Sequence, residues 1–299
     1  MSIGCIVIAY KVNPHSLLKK IKKIYADVDN FYIINNSEKK INILKDKKIT
    51  IINLDVNLGI AAAQNLALNL SFKNKNDYIL FSDQDTIFPE DFIKKILNFF
   101  FFCKKKYGNL FAVAPNLYDR NKNILSGFVQ RNFFFRSNIF QNESNSKNNN
   151  DSKITEAMSS GMFINVKKLK KVGFLNENFF LDWVDFDLCW RALKKGYNII
   201  GSRNIVASHF LGSNSIKIFG KSFHIHPPFR SYYIVRNGIN LSLYSKNISF
   251  FWRINIFLNT LRYSIGYLVF TRPFLKVLGF VILGFAHGFL NILGKVNYD

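Results

Sequence analysis

A chain of 299 residues that is 48% hydrophobic is long and apolar enough to bury a full core, which excludes a disordered protein. Its formal net charge of +22, from 41 Lys and Arg against 19 Asp and Glu, suits nucleic acid, an anionic membrane or a negatively charged substrate, and is also what an AT-rich coding sequence rich in Lys, Asn, Ile and Phe produces. The lysines are scattered (Lys19, Lys20, Lys22 and Lys23; Lys45, Lys47 and Lys48; Lys104 to Lys106), and no base-stacking aromatic motif accompanies them, so no nucleic-acid partner is expected.

The N-terminus lacks the basic region, long apolar core and cleavage site of a signal peptide, and Ile3 to Tyr10 reads as a buried first strand. A helix over His15 to Tyr25 follows, then strands at Phe31 to Ile34 and Ile49 to Leu54. Asn57-Leu58-Gly59 opens a helix from Ile60 to Leu70, and a fourth strand, Tyr78 to Ser82, stops at Asp83-Gln84-Asp85. Pro89-Glu90-Asp91 starts a helix through Phe102, with acids near the positive end of its dipole, and Ala112 to Pro115 reads as another strand. Alternating strands and helices predict an α/β domain with a largely parallel sheet, whose ligands bind beyond the carboxyl ends of the strands. Ser137 to Lys153 is Asn- and Ser-rich and reads as a mobile surface loop, a candidate lid. Helices are expected at Val166 to Val172 and at Asp185 to Lys195, the latter stopped by Gly196. Cys5, Cys103 and Cys189 lie far apart in apolar contexts, so neither a disulfide framework nor a zinc site is expected, only buried thiols in a reducing cytosol.

From about Phe250 onward, long apolar stretches are broken by Arg253, Arg262, Arg272 and Lys276. The best candidate span, Val277 to Leu293, contains His287, Asn291 and several glycines, so amphipathic helices lying in a membrane interface fit better than a crossing. The expected organisation is a catalytic domain at 1–245 and membrane-associating amphipathic helices at 246–299.

Asp83 and Asp85 at a strand tip form a carboxylate pair suited to a hard cation such as Mg²⁺ or Mn²⁺, whose natural companion is a nucleotide diphosphate; alone, Asp-x-Asp is equally a solvated turn. Asp185, in the first turn of a helix, is held rigidly and its ionised form is favoured by the dipole; Asp185 or Asp187 could equally be a helix cap.

The ordered set Asn57-Leu58-Gly59-Ile60-Ala61-Ala62-Ala63-Gln64-Asn65, Asp83-Gln84-Asp85-Thr86, Ser159-Ser160-Gly161 and Phe180-Leu181-Asp182-Trp183-Val184-Asp185-Phe186-Asp187-Leu188-Cys189-Trp190-Arg191 resembles glycosyltransferase family 2, most closely its rhamnosyltransferase-like branch. The similarity spans about Ile3 to Leu241. It implies a GT-A fold and an inverting transfer of a sugar, such as L-rhamnose from dTDP-rhamnose, to a saccharide or lipid-linked glycan during surface polysaccharide or lipopolysaccharide assembly, on the cytoplasmic face of the inner membrane. Carried across, Asp85 binds the metal with Asp83 and His209, and Asp185 is the base. Ala9, Tyr10, Asn35, Asn57, Gly59, Gln64, Asn65, Asp83 and Gln84 line the nucleotide sugar, with Arg230 and Arg236 on the diphosphate, while Ser160, Gly161, Asp182 and Trp183 face the acceptor. The chain departs from the family where Ala9-Tyr10-Lys11 replaces Thr-Tyr-Asn, Ile34-Asn35-Asn36 replaces Val-Asp-Asn, and Val184 replaces a Glu. Asn35 both donates and accepts hydrogen bonds, so a thymine or uracil remains readable there. The competing reading is a non-catalytic basic α/β protein that binds an anionic membrane or nucleic acid.

Overall fold

The structure is a computed structural model describing residues 1–42, 46–132, 136–140, 150–209, 214–218 and 221–296. Short runs rich in Ile, Val, Phe and Tyr form β1 (Ile3–Ala9), β2 (Asn30–Asn35), β3 (Ile49–Asn53) and β4 (Tyr78–Asp83). Between them run α1 (Pro14–Lys22) and α2 (Ile60–Lys73). Asn13 caps α1, its side chain accepting from the amides of His15 and Ser16, and Pro14 sits in the first turn where its missing N–H costs nothing.

After α3 (Phe92–Tyr107) come β5 (Leu110–Asp119), β6 (Ile124–Leu125), β7 (Phe128–Arg131), β8 (Arg136–Ile139), β9 (Asp151–Lys153) and β10 (Phe163–Asn165). Then α4 (Val166–Val172), α5 (Val184–Lys194) and β11 (Asn198–His209) lead to the hairpin β12 (Asn214–Ile218) and β13 (Lys221–Ile225). The chain ends in α6 (Pro228–Tyr244), α7 (Phe250–Phe270) and α8 (Phe274–Phe289).

The main sheet runs β3-β2-β1-β4-β10-β5-β11-β9, with β6 beside β5. Strands β3, β2, β1 and β4 are parallel, as are β5 and β11, while β10 lies antiparallel between β4 and β5 and β9 is antiparallel to β11. The sheet is therefore mixed, with most of its strands running in one direction. Apolar side chains on its two faces build two cores, one including Ile6, Ile34, Phe81 and Trp190, the other Val7, Ile33, Leu80, Phe92 and Phe100.

The expected loop at Ser137 to Lys153 is strand at both ends: β8 pairs with β7, and β9 pairs with β11. The anchor at β9 is polar, because the buried Asp151 carboxylate accepts from Tyr107 Oη (2.6 Å) and Lys106 Nζ (2.9 Å). Residues 141–149, the centre of the expected lid, lie outside the described residues. The helix after Pro89 begins at Phe92, three residues later than expected.

No helix among the described residues is long and apolar enough to cross a membrane. Instead α7 and α8 both pack on α6, which places α6 in one helical unit with them. Glycines allow the close approach: a Cβ on Gly288 would lie 2.8 Å from Ile239 Cβ and 2.9 Å from the Arg236 carbonyl oxygen, and one on Gly238 would meet Thr260 of α7. Gly279, on the outward face of α8, has nothing within 4 Å of such a Cβ. Opposite effects follow at the two ends of α8. Gly279→Ala is expected to raise stability by about 0.5–1 kcal/mol through helix propensity, and Gly288→Val to lower it by about 1–3 kcal/mol through overpacking. Denaturant midpoints at constant m-value check both signs.

Candidate active site

The parallel register aligns the carboxyl ends of the strands. Ala9 of β1 pairs with Asn35 of β2, Asn35 with Asn53 of β3, and Ile8 with Asp83 of β4, so polar residues gather along one sheet edge. The chain then turns through Asp83-Gln84-Asp85, and Ile87 exchanges two backbone hydrogen bonds with Ser208, at 2.8 and 2.9 Å. That bridge brings the end of β11 against the acidic turn. His209 Nδ1 consequently lies 3.2 Å from Asp85 Oδ1 and its Nε2 lies 3.9 Å from Asp83 Oδ2. One ligand atom from each of the three residues falls within 4.8 Å of the others.

Two carboxylates and an imidazole at this spacing are a donor set for a divalent cation. The local electrostatics agree. Burial raises the Asp85 pKa, His209 opposes the rise and the Asp83 charge adds to it, so a cation between the carboxylates relieves an existing penalty. Thr86 Oγ1 lies 3.3 Å from His209 Nδ1 and helps fix the ring.

The turn before β10 joins this cluster to the candidate base. The Ser159 amide donates to Asp185 Oδ2 at 2.9 Å, and the Ser160 hydroxyl donates to Asp83 Oδ2. Gly161, at φ +83°, closes the turn by donating to the Phe81 carbonyl at 2.8 Å; a Cβ there would sit 2.6 Å from Pro115 Cγ. Ser160 and Gly161, expected on the acceptor side, are both buried, and the Ser160 hydroxyl is engaged with Asp83. Ser159, whose contribution is a backbone N–H, escaped the sequence reading because no side-chain pattern reports an amide.

Asp185 stands in the first turn of α5 and Asp187 beside it is spent on Arg191, at 2.8 Å. The expectation that the helix dipole keeps Asp185 readily ionised is overturned. Burial pushes its pKa up to about 7, the Ser159 hydrogen bond only partly opposes this, and the charges of Asp83 and Asp182 push it further. A carboxylate poised near neutrality is well matched to taking a proton from a hydroxyl.

The segment before α5 is strained and clamped. Phe180, Asp182 and Trp183 have φ of 60°, 62° and 65°, a region costly for residues with a Cβ. Helix α6 holds it in place. Asn237 Nδ2 lies 3.0, 2.8 and 3.2 Å from the carbonyl oxygens of Phe179, Leu181 and Asp182, and Trp183 Nε1 donates to the Ile234 carbonyl at 3.0 Å.

Both arginines expected at the diphosphate are engaged in this clamp. Arg236 is fully buried, and its guanidinium donates to Asn237 Oδ1, Tyr232 Oη and the carbonyls of Gly294, Asn178 and Phe179, which exhausts its five N–H groups. Arg230 turns its fork onto Asp182, with Nη2 2.6 Å and Nε 2.9 Å from the carboxylate. Asp182 and Trp183, expected to face the acceptor, are thus held by α6. Tyr267 of α7 joins them: burial and the Asp182 charge hold its phenol protonated.

Several expected nucleotide contacts are structural. Asn35 is fully buried, donating to the Lys39 carbonyl (2.8 Å) and Asn53 Oδ1 (2.7 Å) and accepting from Ser37 Oγ (2.8 Å), so its amide does not face a base. Asn57 Oδ1 accepts from the Gly59 amide and from Asn36, which keeps it inside the turn. Gly59, at φ +87°, packs so tightly that a Cβ would lie 2.6 Å from the Phe180 carbonyl oxygen. Asn65 ties α2 to Leu175 and Glu177, and Gln64 is buried beside it in the chain, its Oε1 without a protein partner. Ala9 is buried. Tyr10, by contrast, is exposed at the sheet edge, and its amide donates to Gln84 Oε1 at 2.6 Å. Lys20, absent from the expected set, donates from α1 to the Gln84 carbonyl at 2.8 Å and lies in the field of Asp85.

Comparison with known proteins agrees with this architecture. Residues 5–173 match the profile of Glycosyl transferase family 2. The dTDP-rhamnosyl transferase RfbF of Shigella flexneri is 29% identical over 252 residues, covering 80% of this chain and 79% of its own. The low-salt glycan biosynthesis hexosyltransferase Agl10 of Haloferax volcanii is 28% identical over 152 residues, half of this chain and 47% of its own. Among solved structures, S. aureus TarS 1-349 with UDP-GlcNAc superposes with a TM-score of 0.55 at 13% identity, covering 95% of this chain and 81% of that one. GalNAc-T7 with UDP, GalNAc and Mn²⁺ gives 0.53 at 8% identity, covering 92% and 58%. The family profile covers more than half of the chain, and the fold is that of the GT-A transferases: the chain is a glycosyltransferase, belongs to glycosyl transferase family 2 and resembles its rhamnosyltransferase-like branch.

Proposed function

We propose that this glycosyltransferase moves a sugar, L-rhamnose from dTDP-rhamnose in the first instance, with inversion onto a hydroxyl of a saccharide or lipid-linked glycan during surface polysaccharide assembly. The observation that carries the reading is the convergence of Asp83, Asp85 and His209 at the sheet edge, joined through Ser159 and Ser160 to Asp185. In this reading Asp85, Asp83 and His209 hold Mg²⁺ or Mn²⁺, which when bound neutralises the departing nucleotide diphosphate. Asp185 takes the proton of the acceptor hydroxyl. Lys20 adds a positive charge beside Asp85, and Tyr10 offers an exposed ring at the mouth of the sheet edge. The 29% identity to a dTDP-rhamnosyl transferase supports the donor assignment. The reaction is proposed to run on the cytoplasmic face of the inner membrane, a setting in keeping with three buried free cysteines.

Three outcomes test this reading. Asp185→Asn is expected to lower transfer by at least about 100-fold while retaining the donor-induced rise in Tm, and unimpaired turnover would remove Asp185 from the role of base. The pH dependence has a definite sign. Because the folded-state pKa of about 7 lies above the ordinary carboxylate value of 3.8, kcat/KM of the free enzyme should climb as pH rises through about 7. The same shift means that the native state keeps a proton the unfolded chain releases, so Asp185 lowers stability progressively between about pH 4 and pH 7. Asp185→Asn should therefore gain stability over the wild type at pH 8 and not at pH 4, as read by urea titration at the two pH values. For the cation, excess EDTA should abolish transfer of a radiolabelled sugar and Mn²⁺ or Mg²⁺ should restore it; full turnover in EDTA would remove the cation from the reaction.

A further inference from the structure

The helical unit beside the active site has an apolar outside. Helix α7 packs its inner face on α6 through Ile256, Thr260 and Tyr267, yet Ile254, Leu258, Ile265 and Val269 on another face are 42–63% exposed. Helix α8 repeats the arrangement: Val277, Val281, Gly284 and Gly288 face inward, whereas Leu275 is 79% and Ile282 59% exposed. The spacing, at intervals of four and seven residues, puts each outer row on one face of its helix. The expected amphipathic helices thus show apolar residues to solvent as well as to the core. Exposed apolar surface on this scale marks a contact with something else.

Charge selects what that something is. After Asp187 the sequence contains no Asp or Glu until Asp299. Over the same stretch Lys and Arg recur, and Arg262, Arg272 and Lys276 are exposed on or between the two outer stripes. An apolar stripe flanked only by cations complements a bilayer with anionic headgroups, where aliphatic side chains enter the acyl boundary and basic ones stay at headgroup level.

We propose that the outward face of α7 and α8 docks on an anionic lipid surface and holds the active site beside it. The connection to the site is direct. Tyr267 points inward from α7 into the field of Asp182 and Arg230, while Ile265 and Val269, two residues to either side, point outward. The side of α7 that meets the Asp182–Arg230 pair and the proposed membrane face are opposite sides of one helix. A lipid-held acceptor is then presented from the side of α7, and this part of the inference rests on the glycosyl-transfer reading.

Flotation of the purified full chain with vesicles tests it. Binding is expected to phosphatidylcholine vesicles containing phosphatidylglycerol, weakening with salt, and to be at least tenfold weaker with phosphatidylcholine alone. Leu258→Asp with Ile282→Asp should lower the bound fraction at least tenfold without changing Tm or metal-dependent donor hydrolysis, because both side chains are more than half exposed on the outer rows. Arg262→Gln with Lys276→Gln, which leaves the apolar rows intact, should weaken binding to the anionic vesicles and not to the neutral ones. A wild-type chain that stays unbound on anionic vesicles, variants that bind as tightly as wild type, or a dimer that masks the face and dissociates on Leu258→Asp would overturn the proposal. Donor hydrolysis, measured on the same samples without lipid, reports separately on the catalytic reading.

Discussion

Two hydrogen bonds from one turn hold the candidate site together: Ser159 N–H to Asp185 and Ser160 O–H to Asp83. They set Asp185 relative to Asp83 although these groups come from different elements, α5 and the tip of β4. The turn can do this only because Gly161 takes a φ of +83° against Pro115 and because β10 runs antiparallel between β4 and β5. Everything the site does electrostatically follows from that proximity. The Asp83 charge adds to the cost of ionising Asp85 and helps to raise Asp185, so the cluster is prepared for positive charge.

The second constraint comes from α6. A positive-φ stretch at Phe180, Asp182 and Trp183 is costly without support, and Asn237, Arg236 and Arg230 supply it from one helix. The same helix is the platform for α7 and α8. The segment leading into α5 and the C-terminal helices are therefore held by one helix, and the geometry leading into α5 depends on residues well outside the family-matched segment of 5–173.

How much of this was legible in the sequence follows from the kind of signal involved. Strands β1 to β4 and helices α2 and α4 announce themselves by apolar runs and periodicity, and α4 has the bounds its pattern predicts. The acidic pair at a strand tip and His209 were visible as motifs, and the fold brings them together. The long strand β11 and helix α6 were missed as elements because polar residues interrupt the first and every face of the second is partly buried. Asn35, Asn65 and Arg236 satisfy protein partners that the sequence does not show, for one reason. A polar side chain in a motif looks the same whether it meets a ligand or satisfies buried carbonyls, and only burial separates the two. The pKa of Asp185 was likewise beyond reach, since the dipole that favours its charge is local in sequence and the burial that opposes it is not.

The central claim is that Asp83, Asp85 and His209 are a cation site and not a solvated acidic turn. Pulsed electron paramagnetic resonance of the protein with one equivalent of Mn²⁺ and dTDP tests it most directly. A cation site gives a nitrogen coupling from a directly bound imidazole that disappears in His209→Ala, and much weaker Mn²⁺ binding in Asp85→Asn. Tight Mn²⁺ binding with no imidazole coupling, or binding unchanged in Asp85→Asn, would contradict it.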